Sequence, residues 1–184
     1  MTLIAARGLT AEWLSDELGR RIGALDAACP PGRRVVGIEH EYAVFRGKAQ
    51  LDFASIVHDL GIPGERLHPT NGDMYLTASG SAVMADGLVA EIATPPVEIA
   101  PGFTRALQGS LTTTGHLLGA ALTDGDRLEG GSTHISVQID HTAADRAAAR
   151  FARTYAAPLM LLMDRAHSPG LLVRPRPGRL EFGG

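Results

Sequence analysis

The chain has 184 residues, of which 45% are hydrophobic, so it is long enough to bury the core of one globular domain. Its 17 basic and 20 acidic residues give a net charge of -3, and no cluster of Lys and Arg carries interleaved aromatic residues, which argues against nucleic-acid binding. No apolar run approaches transmembrane length, and residues 1–10 lack the pattern of a signal peptide. The single cysteine, Cys29, permits no internal disulfide. We therefore expect a cytoplasmic protein without membrane contact.

The first half of the chain predicts two helices and four strands. Residues 10–27 place apolar side chains at the helical period, and residues 51–60 predict a short helix capped by Asp52. Residues 35–45 are β-branched and aromatic, which is typical of a strand. Three further strands follow, with turn signals between them. They cover residues 74–77, 82–85 and 88–93, and the turns lie at Asn71-Gly72, residues 79–81 and Asp86-Gly87.

The second half predicts two long helices and two strands. The helices cover residues 101–122 and 143–167, and the strands cover residues 128–139 and 180–182. Thr142 is the expected cap of the last helix, and Pro158 should interrupt it. A Pro- and Arg-rich stretch precedes the final strand, which must be either a sheet edge or paired with a partner.

Two carboxylates lie side by side on the first strand. Because side chains alternate along a strand, Glu39 and Glu41 share one face and His40 faces the other. Neighbouring carboxylates repel each other unless a cation lies between them, and oxygen ligands at this spacing suit Mg²⁺. The alternative is a solvent-facing strand edge with two ordinary glutamates.

Three other features are candidates for the same site. Glu91 is the only charged residue on an apolar strand, where a carboxylate is costly unless it is paired or metal-bound. His134 and Ser136 share one strand face, as in a polar pocket or on any half-exposed strand. The arginines at residues 174–179 could bind phosphate, or they could lie in a solvated loop.

Four motifs in this order resemble the glutamine synthetase-like superfamily of carboxylate–amine ligases. They are Gly37-Ile38-Glu39-His40-Glu41; Asp86 with Glu91-Ile92-Ala93-Thr94-Pro95-Pro96; Gly131-Ser132-Thr133-His134-Ile135-Ser136; and Arg174, Arg176 and Arg179 with Glu181. The glutamate–cysteine ligase type is similar in the first three motifs, and the Pup ligase and deamidase branch is similar in the spacing from Asp86 to Glu91. The resemblance implies an α+β fold, with a curved antiparallel sheet and helices packed on one face.

The resemblance also implies a mechanism in which ATP phosphorylates a substrate carboxylate and an amine displaces the phosphate. It assigns Mg²⁺ or Mn²⁺ to Glu39, Glu41, Glu91, His134 and Glu181. It assigns catalytic roles to Asp86, which matches the base of the Pup branch, and to Arg174, Arg176 and Arg179, which would neutralise the phosphoryl group. It assigns contact with the nucleotide or its phosphates to His134, Ser136 and Arg179.

Relatives in this superfamily are far longer, so we expect residues 1–184 to form one incomplete domain, the N-terminal portion of the catalytic fold. Further chain, a second copy in a homo-oligomer or another subunit would then complete the site around a small amino-acid substrate. Three functions stay open. They are an ATP- and magnesium-dependent ligase, a non-catalytic or half-site subunit that binds metal, nucleotide or amino acid, and an amide hydrolase acting through Asp86.

Overall fold

The computed structural model describes residues 34–67, 74–163 and 170–184, together with Arg20. The predicted helix over residues 10–27 (Arg20 apart), Cys29, the turn at Asn71-Gly72 and the predicted helix end near residue 167 lie outside the described residues. The three described ranges form ten strands, three α-helices and one 3₁₀ helix. The strands are β1 (Val35–Arg46), β2 (Ala49–Gln50), β3 (Glu65–Leu67), β4 (Met74–Leu76), β5 (Ala82–Asp86), β6 (Val89–Ala93), β7 (Val97–Glu98), β8 (Asp126–Gln138), β9 (Leu172–Arg176) and β10 (Arg179–Gly183). The helices are α1 (Phe53–Ile56), α2 (Phe103–Ala121), the 3₁₀ helix His141–Ala143 and α3 (Ala144–Met163).

All ten strands belong to one open sheet in the order β3-β4-β5-β6-β1-β8-β10-β9, with β2 and β7 also paired to β1. Every strand pairing within the described ranges is antiparallel. The mixed α and β class and the antiparallel sheet are therefore as predicted. The strand with the two glutamates, β1, lies in the middle of the sheet, so its side chains have neighbours on both sides.

The end of the described chain is a β-hairpin, which the sequence only partly predicts. Residues 174–176 belong to β9, not to a loop, and Pro177 and Gly178 form the turn into β10. Since β10 pairs with β8 on one side and β9 on the other, the predicted final strand is not an edge. Pro175 weakens the strand signal, and it is tolerated because β9 is the outer strand of the described sheet.

The helices pack on one face of the sheet. Val44 on β1, Ile92 on β6 and Leu118 on α2 are all 0% exposed and share one core cluster. At the other end, the Phe151 ring of α3 lies 4.5 Å from the Phe182 ring of β10. Alternation along each strand leaves the opposite face to the acidic residues.

Several predicted boundaries need correction. The helix predicted over residues 51–60 ends at Ile56, although Asp52 caps it as expected through a 3.1 Å bond from the Ala54 amide to Oδ1. Asp86 is the last residue of β5, and the turn predicted at Asp86-Gly87 lies at Gly87 and Leu88, directly after it. Asp140, not Thr142, supplies the capping side chain before α3, because its Oδ1 accepts the Thr142 amide at 2.9 Å. Pro158 lies inside α3. Among the described helices, none is long and apolar enough to cross a membrane.

Candidate metal centre

The face of the sheet opposite the helices collects the predicted acidic residues. Glu41 lies directly across from Glu91 on β6, and Glu39 lies across from His134 on β8. Glu181 on β10 lies across from Ser136, which is two residues beyond His134 on β8. The alternation that the sequence predicts for these strands is thus preserved, and central pairing of β1 brings the motifs together.

Glu41, Asp86 and Glu91 form the first group, which we call the carboxylate group. Each offers one oxygen, and the three oxygens lie within 4.8 Å of one another. Asp86 reaches the group because it ends β5, the strand beside β6. The one salt bridge that the described residues make to this group is weak, with His134 Nδ1 at 4.0 Å from Glu41 Oε1. Three carboxylates therefore share a small volume with little positive charge in contact.

The pKa of Glu91 is shifted by burial and by this crowding of carboxylates. Its pKa is raised to about 7, first because burial disfavours the charged form and then because Glu39, Asp86, Glu41 and Glu181 repel it. A divalent cation in the group would oppose both effects, because it stabilises the charged form of the carboxylate. A raised carboxylate pKa beside other acids is a feature of functional sites, although burial alone can also produce one.

Glu39, His134 and Glu181 form the second group, which we call the imidazole group, and their ligand atoms also lie within 4.8 Å of one another. Glu181 differs from the other acids because it is 2% exposed and already paired with arginines. Arg174 Nη2 donates to Glu181 Oε1, and Arg176 Nε lies 3.4 Å from Oε2.

The arginines decide the charge state of Glu181. Burial acts to raise its pKa, but the hydrogen bond and charge of Arg174, followed by the charges of Arg176 and His134, outweigh burial and hold the pKa below its ordinary value. Arg179 adds a longer contact of 3.8 Å to Oε2. Glu181 is thus an ionised carboxylate whose Oε2 has only long contacts with the described arginines.

A cavity of about 340 Å³ continues the same face beyond Glu39. Its lining comes from β1, from the end of β6 and the residues just after it, from β8 and from the β9–β10 hairpin. The polar side chains of the lining are those of Glu39, Thr94, Ser136, Gln138 and Arg179, and Gly37 lies among them. Ser136 Oγ and Arg174 Nε are buried without a hydrogen-bond partner among the described residues. Buried polar atoms of this kind mark places where a ligand or water completes the bonding.

The predicted site residues therefore share one face, but they do not form one ligand set. Glu39, Glu41 and Glu91 were expected around a common ion or ion pair, and they divide between the two groups. Asp86, predicted as a base, lies with Glu41 and Glu91. The divided arrangement depends on which strands are neighbours, which residue spacing cannot show.

The cavity residues Gly37, Thr94 and Gln138 were not predicted as site residues. Thr94 Oγ1 accepts the Ile38 amide at 2.9 Å, and Gln138 Oε1 accepts the Val35 amide at 3.3 Å, so both side chains fix the start of β1. Gly37 stood in the first motif, and its small size was the available signal. A Cβ at Gly37 would have its nearest neighbours, two Thr94 oxygens, at 3.9 Å, an ordinary van der Waals contact, so the position has room for a methyl group.

Comparison with known proteins adds no family assignment, because no family model matches the chain and no curated protein is significantly similar to it.

Proposed function

We propose that this chain carries the metal and nucleotide site of a carboxylate–amine ligase with a glutamine synthetase-like fold. The observation that carries the proposal is that two donor groups, three arginines and a cavity lie together on one face of the antiparallel sheet, around its central strand β1. The motif order of the sequence supports the same family. The donor groups, the arginines and the cavity would each have a different role in the reaction.

The donor chemistry fits Mg²⁺ or Mn²⁺. Glu41, Asp86 and Glu91 offer hard oxygen ligands only, and the imidazole group adds one nitrogen. When bound, such an ion supplies a Lewis acid that neutralises charge on phosphate oxygens. The raised pKa of Glu91 supports the fit, because the carboxylate group lacks a close cation among the described residues.

The reaction requires two steps. A substrate carboxylate oxygen attacks the γ-phosphorus of ATP, and the bond to ADP breaks. The amine then attacks the acyl carbon, phosphate leaves, and the amine loses a proton. Asp86 is the candidate acceptor of that proton because it is the most exposed acid of the carboxylate group.

The arginines suit phosphoryl transfer, which depends on positioning and on positive charge around the transferred group. Arg174 and Arg176 project from β9 and Arg179 from β10, so a hairpin holds all three on one side of Glu39. Because their side chains are 41–49% exposed, they can reach an anion at the mouth of the site. The planar guanidinium also matches phosphate in a two-bond geometry.

The cavity supports nucleotide binding. Its volume is that of a small-molecule site, and its walls combine Pro96 and Pro177 with the hydroxyl of Ser136. A nucleoside in this cavity would direct its phosphates toward Glu39 and Arg179. The amino-acid substrate would then occupy the other side of the donor groups, completed by further chain or a second copy.

One observation favours a non-catalytic binding subunit as the second candidate function. Glu181 is paired with arginines, which hold its pKa below the ordinary value, so the protein itself partly balances the charge of the imidazole group. A subunit that binds only one ion or one anion would have the same feature. The two candidates differ in ATP turnover.

The first experiment measures Mn²⁺ binding by calorimetry and electron paramagnetic resonance. Glu41→Gln should weaken Mn²⁺ binding at least about tenfold, because it removes one of three carboxylate ligands. The control is Glu65→Gln, a matched change at an exposed position on β3, four strands from β1 in the sheet order. Equal affinities for the two variants would refute the metal site.

The second experiment measures ADP release. Mg²⁺-dependent ADP formation that requires an amino acid with a free carboxylate supports the ligase. Metal and ATP binding without turnover supports the binding subunit. Amide cleavage without ADP formation would contradict both.

A further inference from the structure

A β-bulge lies directly opposite Glu41. Strands β1 and β8 pair in register up to His40, which lies across from Thr133, and pairing resumes at Tyr42, across from Gly130. Two residues of β8, Gly131 and Ser132, therefore stand opposite the single residue Glu41. A bulge disrupts the local ladder and redirects nearby side chains.

Next to the bulge, the neighbouring strands hold the Glu41 side chain only weakly. A Cβ at Gly131 would lie 3.8 Å from Glu41 Cβ and 3.5 Å from its carbonyl oxygen, which is ordinary van der Waals contact, so Gly131 lies against Glu41 and contributes no side chain to hold it. On the other side, β6 presents Glu91, which repels Glu41 instead of holding it. The one side-chain contact that the described residues of these strands make to Glu41 is the 4.0 Å approach of His134 Nδ1 to its Oε1, so Glu41 is held only weakly on the acidic face.

His40 spans the bulge on the opposite face. Its Nδ1 lies 2.6 Å from Thr133 Oγ1, on one side of the bulge. Its Nε2 edge lies over Gly130, on the other side, where an added Cβ would approach to 3.3 Å. The Tyr42 ring packs edge-on against the imidazole, with the ring centroids 4.5 Å apart. The His40 ring thus bonds to Thr133 on one side of the bulge and lies near the Cβ position of Gly130 on the other.

We infer that His40 is a positioning residue which, through its bond to Thr133, fixes the bulge and so aims Glu41 at the carboxylate group. This inference rests on the proposed function, because the group it serves is the proposed metal site. His40 itself contacts no ligand. It would affect metal binding through the backbone, by setting the direction of the next residue, Glu41.

The test removes the Thr133 hydroxyl without changing its shape. Thr133→Val deletes the bond to His40, and Thr133→Ser keeps it. We expect Thr133→Val to weaken Mn²⁺ binding about tenfold, the cost typical of losing an outer-shell partner of a ligand. Thr133→Ser should stay within about twofold of the original protein. Both affinities are measured by calorimetry well below the melting temperature of each variant.

A purely structural role for the bond would lower stability and leave the affinity of the folded protein unchanged. Equal Mn²⁺ affinity for Thr133→Val and Thr133→Ser, while the original protein binds Mn²⁺, overturns the inference and leaves the proposed site intact. Absence of Mn²⁺ binding by the original protein overturns both. If Thr133→Val does not fold, Gly130→Ala is the deciding variant, because its methyl group would lie 3.3 Å from His40 Nε2, close enough that the ring must shift by a few tenths of an ångström, and this shift should also weaken binding.

Discussion

Replacing Glu91 with glutamine should stabilise the protein near pH 8 and leave its stability unchanged near pH 4. The pKa of Glu91 is about 7 in the folded protein, against an ordinary value of 4.5. Below about pH 4.5 the carboxyl is protonated in both the folded and the unfolded state. As the pH rises toward 7, the unfolded state loses its proton first, so the original protein loses stability relative to the glutamine variant.

The size of the effect follows from the shift. At about 1.4 kcal/mol per pKa unit, the full shift corresponds to an upper limit of about 3 kcal/mol. Because Glu91 is only partly buried, solvent screening reduces this to about 1–2 kcal/mol. For a chain of this length, that is roughly 3–6 °C in Tm.

The assay is thermal unfolding followed by circular dichroism, in chelator and at low salt, from pH 4 to pH 8. The stability difference should appear between about pH 4.5 and 7 and then stay constant. Glu65→Gln, on the exposed β3 strand, should give no comparable pH-dependent difference. Saturating Mg²⁺ near pH 8 should reduce the advantage of Glu91→Gln, because a bound ion stabilises only the protein that retains the ligand. A constant difference at all pH values would refute the reasoning.

Three further changes test other parts of the structure. Glu181→Gln should cost about 1–3 kcal/mol in urea unfolding, because it removes the charged partner of Arg174, and an unchanged midpoint would contradict that pairing. Gly37→Ala should fold normally, since its methyl group would meet the nearest Thr94 atoms at an ordinary 3.9 Å, and should weaken binding of a fluorescent ATP analogue; unchanged binding would place the nucleotide elsewhere. Leu118→Ala should cost about 2–5 kcal/mol in the same urea assay, because Leu118 is 0% exposed, and a cost below 1 kcal/mol would contradict its place in the core.

Local pattern predicted the strands of the site well. The alternation along β1 placed Glu39 and Glu41 on one face and His40 on the other, and the structure confirms this. The same period placed His134 and Ser136 together on β8. These predictions succeed because the two-residue period is a property of the strand itself and needs no knowledge of its neighbours.

Long-range pairing was the part that residue patterns could not supply. The bulge opposite Glu41 depends on the register of β8 against β1, and no residue type fixes that register in isolation. Pro175 weakens the strand pattern of residues 172–176, so β9 was not predicted. The arginines of the hairpin were therefore recognised by charge, while their bonds to Glu181 became visible only in the fold.

The two donor groups differ in how their charge is balanced, and this predicts an order of binding. Glu181 has arginine partners, so the imidazole group is compensated before any ion arrives. The carboxylate group has only the distant His134 contact among the described residues, and Glu91 holds a proton up to about pH 7 as a result. A first divalent ion should therefore bind at the carboxylate group. A second ion is stabilised less at the imidazole group, because the arginines already neutralise Glu181. A bound phosphate would draw the arginines away from Glu181. Binding of the anion and binding of the second ion should therefore reinforce each other.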